Sequence, residues 1–93
     1  MKTIIFVCHG SICRSPAAAF IAKKYLKEIG REDEFNILIR ATSSEEIGND
    51  VYPPMKRELN RRKVPLYPHA AQRIRQSDYD NADYIFYMDY ENQ

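Results

Sequence analysis

Hydrophobic residues form three mainly apolar runs along this chain, over residues 3–7, 35–41 and 82–88. The first run is continuous and rich in β-branched side chains, which is the pattern of a strand buried on both faces of a sheet. More polar segments of greater length separate the runs. The pattern therefore predicts three strands.

Helical signals lie between these strands. Apolar residues recur at helical spacing after the first run, and we expect Ser15 to cap this helix, Pro16 to occupy its first position and Gly30 to end it. Shorter helices are predicted over residues 53–63 and 70–75. Strands that alternate with helices indicate an α/β fold with a parallel sheet.

Composition narrows the class of protein. The 93 residues are 44% hydrophobic and 29% charged with a net charge of +1, which predicts one small soluble domain over residues 1–93 and argues against a nucleic-acid partner. No apolar stretch is long enough to span a membrane, and residues 1–7 do not have the form of a signal peptide. Two cysteines in one short segment give no disulfide framework, so we expect a reducing, cytoplasmic setting.

The segment Val7-Cys8-His9-Gly10-Ser11-Ile12-Cys13-Arg14-Ser15-Pro16 joins the first strand to the first helix. Ligands of parallel α/β sheets bind beyond the carboxyl ends of the strands, where backbone N–H groups and the helix dipole attract anions and favour a thiolate at Cys8. Arg14 carries a planar fork that can bind two phosphoryl oxygens, and the Ser15 hydroxyl can donate to the sulfur. Gly10 is expected to adopt backbone angles that a side chain would forbid. The segment therefore predicts a nucleophile in a phosphate-binding loop.

Other interpretations of the two cysteines remain open. Both can be buried small hydrophobic residues, and a zinc site through Cys8, His9, Cys13 and His69 is disfavoured because the cysteines lack the short spacing of structural sites. Cys13 is either an inert packing thiol or a redox partner that traps an oxidised Cys8 as a disulfide.

This loop resembles the signature loop of the low-molecular-weight protein-tyrosine phosphatases, and the resemblance continues through residues 41–49 and 78–89. It implies a three-layer, Rossmann-like parallel sheet flanked by helices. It also implies hydrolysis of phosphotyrosine proteins or small aryl phosphates through a cysteinyl phosphate at Cys8, with no cofactor and no metal. Arg14 would clamp the phosphoryl group and Ser15 would assist the thiolate.

The resemblance assigns further residues around that centre. The loop that would surround the phosphoryl group consists of His9, Gly10, Ser11, Ile12 and Cys13. His69 corresponds to a histidine that supports this loop, and Glu45 and Glu46 belong to a second loop at the mouth of the site.

Three departures from the family pattern change the expectation. Ile39 aligns with a serine that supports the loop in the family, and its side chain can form no hydrogen bond. Ser11 stands where the family usually has Asn, and a hydroxyl reaches less far than an amide. The family places a general-acid Asp far toward the carboxyl terminus, so we expect a fold truncated after the third strand, without that acid. Loss of a positioned acid lowers the rate by about 10²–10⁴-fold. Asp89 is not expected to replace it, because an Asp there more often caps a following helix.

Alternatives to a full phosphatase follow from these departures. A non-catalytic phosphate-binding or interaction module needs no acid, whereas a thiol-dependent arsenate reductase needs cysteines beyond Cys13, which the sequence does not contain. The apolar third strand would lie at an unpaired edge, so we expect either a fragment of a longer protein or a fold completed by another chain, as a homodimer or a domain swap.

Overall fold

The computed structural model describes residues 1–10 and 12–88 and contains three strands and three α-helices. The strands are β1 (Lys2–Cys8), β2 (Phe35–Ala41) and β3 (Tyr84–Tyr87). The helices are α1 (Arg14–Glu28), α2 (Pro53–Arg61) and α3 (Gln76–Asn81), and a short 3-10 turn spans Glu32–Glu34. The predicted α/β class is confirmed.

The sheet is parallel, with strand order β2-β1-β3. Its register pairs Cys8 at the end of β1 with Ala41 at the end of β2, and Val7 with Tyr87 at the end of β3. The carboxyl ends of all three strands therefore meet at one edge, with β1 in the middle. Parallel strands need crossover connections, and α1 supplies the one between β1 and β2.

The core lies between the sheet and the helices. Phe20 of α1, Leu59 of α2 and Val51 pack with Ile37 of β2, and each of the four is no more than 9% exposed. Burial of each large apolar side chain stabilises the fold by about 1.5–3 kcal/mol. Within the described residues, no helix combines the length and the apolar character that a membrane crossing requires.

The first helix begins differently from the prediction. It starts at Arg14 with Cys13 in the capping position, no side chain caps it, and Pro16 is its third residue rather than its first. The expectation that Ser15 caps the helix is wrong, because its hydroxyl contacts the Cys8 sulfur instead. The predicted stop at Gly30 is confirmed, since this glycine has a φ of 73° in the left-handed region.

The predicted helix over residues 70–75 is also wrong. Arg73 forms a parallel bridge with Ala41, whose N–H donates to the Gln72 carbonyl at 2.7 Å and whose carbonyl accepts from Ile74 at 2.8 Å. Pairing with the outer edge of β2 thus satisfies this backbone without a helical turn. Helix α3 begins only at Gln76.

An ion pair fixes the start of α3 against β2. The Asp78 carboxylate accepts the Arg75 backbone N–H at 2.9 Å and Arg40 Nε at 3.1 Å. Burial opposes the charge on Asp78, but the Arg75 N–H and the Arg40 guanidinium outweigh it and hold the pKa of this carboxyl below 3.8. The pair therefore connects the helix to the sheet.

Strand β3 forms one edge of the sheet within the described residues. The rings of Tyr84 and Phe86 are stacked with centroids 6.4 Å apart, and Phe86 also stacks on Phe6 at 5.7 Å. Tyr84 and Phe86 are nevertheless 46% and 48% exposed. An apolar edge of this kind favours pairing with another strand.

Candidate active site

Cys8 ends the central strand and is buried at the edge where all three strands end. Its Sγ atom lies 3.1 Å from the Oγ atom of Ser15, which is fully buried in the first turn of α1. The strand and the helix therefore bring together the thiol and the hydroxyl that the sequence places seven residues apart. A sulfur so placed has a hydrogen-bond donor within reach and faces the amino end of a helix.

The start of α1 is electrostatically positive. Its first turn contains no acidic side chain, and its first residue is Arg14. A cation at a helix amino terminus is unfavourable by itself, because the helix dipole already places partial positive charge there. A bound anion would offset both charges. Arg14 Nη1 donates to the Met88 carbonyl at 3.3 Å, which holds the guanidinium between α1 and the end of β3.

The carbonyl groups of the loop between Cys8 and Arg14 bond to neighbouring segments. The Cys8 carbonyl accepts from Thr42 N at 3.0 Å, the His9 carbonyl accepts from Ser43 N and Oγ at 3.0 Å each, and the Ile12 carbonyl accepts from Tyr52 N at 2.6 Å. The C=O and N–H of one trans peptide point in opposite directions. The N–H groups that follow these carbonyls therefore point away from their partners, as an anion-binding loop requires.

Gly10 does not have the backbone conformation that was expected. Among the described glycines only Gly30 and Gly48 have a positive φ, so the expectation of a forbidden conformation at Gly10 is wrong. A Cβ atom at this position would lie 3.2 Å from Cγ of Glu46. The glycine instead allows the loop to approach the segment that follows β2.

The two predicted mouth residues lie beside the loop. Glu45 Oε2 is 3.4 Å from His9 Nε2, and both side chains are mostly exposed, so this pair contributes little to stability. Glu46 packs against Gly10 and accepts a hydrogen bond from Asn49. Their assignment to the mouth stays a prediction.

His69 lies near the segment that precedes α2. The Asp50 carboxylate accepts bonds from Lys56 Nζ and from the Val51 N–H, which lower its pKa, and the charge of His69 lowers this pKa further by a smaller amount. His69 therefore lies close to Asp50, in a chain segment whose Ala71 bonds to the loop after β2. Its role in supporting the Cys8 loop stays a prediction.

The remaining sequence expectations have mixed outcomes. Cys8 and Cys13 do not form a disulfide, Cys13 is half-buried, and its redox role stays a prediction. No group of three metal-ligating side chains lies together in the described part of the chain, so nothing there supports the zinc alternative. Ser11 and Asp89 lie outside the described residues.

Three contributors to this site were not anticipated. They are the Met88 carbonyl that bonds Arg14, the Ser43 hydroxyl that bonds His9, and Arg73, which the bridge to Ala41 places beside the same edge. Ser43 lies two residues after the end of β2, and the rule that ligands bind at the carboxyl ends of strands was a signal for it. Nothing in the sequence indicated the position of Arg73.

The sequence pattern of the family described as low molecular weight phosphotyrosine protein phosphatase matches residues 3–93. The chain belongs to this family. The human low molecular weight phosphotyrosine protein phosphatase is 36% identical over 94 residues, and the mouse enzyme is 39% identical over 93 residues. Each alignment covers 98% of this chain and 57% of the relative.

Solved structures of this phosphatase family share the fold. The crystal structure of YfkJ from Bacillus subtilis superposes with a TM-score of 0.92 at 32% identity, covering 99% of this chain and 58% of that chain. The chain thus spans a little more than half the length of its relatives. Family membership and fold are established over this span, and the activity of the 93 residues is a separate question.

Proposed function

We propose that this chain is a cysteine-dependent phosphatase that hydrolyses phosphotyrosine-type monoesters in two steps. In the first step the Cys8 thiolate attacks phosphorus, the S–P bond forms, the bond to the ester oxygen breaks, and the aryl oxide leaves with the electron pair. In the second step a water molecule gives up a proton to the solvent and attacks phosphorus. The S–P bond then breaks, which releases inorganic phosphate and regenerates the thiolate.

The contact between Cys8 and Ser15 is the observation that carries this proposal. The sulfur is buried, lies 3.1 Å from a buried hydroxyl, and ends the strand that leads to the amino terminus of α1. A structural cysteine requires neither a hydroxyl donor nor a positive helix end. A nucleophile that must also leave as a thiolate gains from both.

Besides a nucleophile, the reaction needs a group that stabilises the charge on the phosphoryl oxygens, and Arg14 can provide it. Its guanidinium carries five donors in a fixed fork and is held at one side by the Met88 carbonyl. Such a fork can bind two phosphoryl oxygens while the three equatorial oxygens share the charge of the transition state. Together with the N–H groups that follow the loop carbonyls, Arg14 would surround a dianion without a metal ion.

The leaving group determines which substrates this span can process. We assign no general acid among the described residues, and a positioned acid contributes about 10²–10⁴-fold. Aryl phosphates leave as fairly stable oxides, so they depend least on that acid. Phosphotyrosine proteins and small aryl phosphates are therefore the substrates that we propose, in the reducing cytoplasmic compartment expected of a thiol enzyme.

Release of phosphate from p-nitrophenyl phosphate tests the proposal. Cys8→Ser should abolish turnover, whereas Cys13→Ser serves as the matched control because it removes a half-buried thiol from the same loop. Equal activity of the Cys8→Ser variant and the wild type would overturn the proposal. Tight binding of vanadate without turnover of any ester would favour a phosphate-binding module, and arsenate-dependent oxidation of thiols would favour a reductase.

We also propose that β3 pairs with β3 of a second copy of this chain. An antiparallel pairing centred on Ile85 would place Tyr84 of each copy opposite Phe86 of the other. Both half-exposed rings would then enter cross-strand aromatic pairs, which stabilise sheets by about 0.2–1 kcal/mol each. The arrangement is self-complementary, as a two-fold interface must be.

A further inference from the structure

A shallow cleft with two arginines lies beside the Cys8 loop. It has a volume of about 270 Å³ and is lined by Ile47, Gln72, Arg73 and Arg75. Two of the four lining residues are cations and none is acidic. The cleft therefore presents positive charge beside an apolar wall.

The sheet register gives the separation between this cleft and the nucleophile. Cys8 pairs with Ala41, and Ala41 in turn pairs with Arg73, so the three residues form one row across the carboxyl edge of the sheet. Neighbouring strands of a sheet lie about 4.8 Å apart. The Cα atoms of Cys8 and Arg73 are therefore separated by about 10 Å.

Hydrogen bonds hold Arg73 on the same rim as the loop. Arg73 Nη1 donates to Ser44 Oγ at 3.4 Å, and the neighbouring Ser43 donates to the His9 carbonyl from both its N–H and its hydroxyl. Arg75 lies two residues further along, and its charge acts on Asp78, which Arg40 already pairs. The four residues that line the cleft thus carry positive charge only.

We propose that this cleft is an anion subsite that binds a carboxylate of the substrate, next to the phosphoryl group in the Cys8 loop. The inference rests on the proposed function and extends it to a substrate class: phosphotyrosine peptides with Asp or Glu near the phosphorylated residue. An extended peptide advances about 3.3–3.6 Å per residue, so residues within a few positions of the phosphotyrosine are the ones that can reach this cleft.

Two glutamates lie in the segment that contacts the cleft. Glu45 and Glu46 fall between Ser44, which bonds Arg73, and Ile47, which lines the cleft, and they also lie beside His9 and Gly10. A carboxylate of the peptide gains affinity only where it reaches the arginines rather than these glutamates. Charge of both signs at one mouth would orient the bound peptide.

Peptide binding to the Cys8→Ser variant tests the subsite, because that variant separates binding from turnover. Fluorescence anisotropy would compare phosphotyrosine peptides that carry Glu, Ala or Lys at the flanking positions. We expect the Glu peptide to bind about three- to tenfold tighter than the Ala peptide at low salt, and the difference to shrink as salt screens it. Arg73→Gln, added to this variant, should remove the difference.

The control is Arg31→Gln in the same background, which makes the same charge change near the opposite end of β2. It should leave the preference for the Glu peptide intact. Equal affinity for the Glu and Ala peptides, or a preference that survives Arg73→Gln, would overturn the subsite. Turnover of p-nitrophenyl phosphate by the wild type, measured in parallel, shows whether the proposed function stands when the subsite fails. If neither the Glu peptide nor the Ala peptide binds, the subsite is overturned, regardless of the rate at which the wild type hydrolyses p-nitrophenyl phosphate.

Discussion

Replacing Ser15 with Ala removes the hydroxyl that contacts the nucleophile. Ser15 is fully buried and its Oγ lies 3.1 Å from the Cys8 Sγ, so no solvent can replace it easily. A hydrogen bond to a charged group contributes about 1.5–3 kcal/mol, and 1.36 kcal/mol changes a rate tenfold. Loss of this hydrogen bond should therefore lower the rate of the step that develops negative charge on the sulfur by about 10- to 150-fold.

That step is the second one. The sulfur loses negative charge as it attacks phosphorus, and it regains this charge as the S–P bond breaks. Since only interactions that strengthen in the transition state accelerate a step, Ser15→Ala should slow hydrolysis of the cysteinyl phosphate and spare its formation. The phosphorylated form should then accumulate.

Rapid-quench measurement of p-nitrophenolate separates the two steps. We expect Ser15→Ala to keep the burst rate and to lower the steady-state rate by the factor above. Ser77→Ala makes the same change on the exposed surface of α3 and should alter neither phase. A Ser15→Ala variant whose two phases fall equally, or whose steady state is unchanged, would refute this role of the hydroxyl.

Two further predictions concern stability and assembly. Asp78→Asn should lower the free energy of unfolding by about 3 kcal/mol in a denaturant titration, because the Arg40 guanidinium, only 14% exposed, would lose its carboxylate. The pKa of Asp78 in the folded state lies below its ordinary value of 3.8. The ionised carboxylate therefore stabilises the fold above pH 3.8, and this stabilisation disappears as the pH falls through the folded-state pKa. Acid should therefore destabilise the wild type more than Asp78→Asn. Tyr84→Lys should abolish concentration-dependent self-association in sedimentation velocity, and a wild type that is monomeric at every concentration would contradict the pairing of β3.

The strands and the Cys8 loop were predictable because their signals are local. A buried parallel strand consists mainly of apolar residues, so β1 and β2 could be predicted directly from their runs. Gly30 ends α1 in the left-handed region, where glycine has no steric cost. The position of Cys8 at the end of β1, shortly before α1, follows from these boundaries.

The wrong predictions concern residues whose backbone or side chain is satisfied by distant parts of the chain. Residues 72–74 bond to Ala41 of β2, and that pairing prevails over a weak local preference for helix. Ser15 has the residue type of a helix cap, but its hydroxyl contacts Cys8. Arg73 could not be placed near Cys8 from sequence, because only the tertiary bridge brings it there.

Detection of the phosphorylated intermediate tests the central claim most directly. Wild-type protein mixed with an aryl phosphate and quenched in acid should gain the mass of one HPO₃ group, and peptide mapping should place that group on Cys8. The adduct should be absent from Cys8→Ser and more abundant in Ser15→Ala. Turnover of the ester with no adduct on Cys8, or with the same rate in Cys8→Ser, would contradict the account.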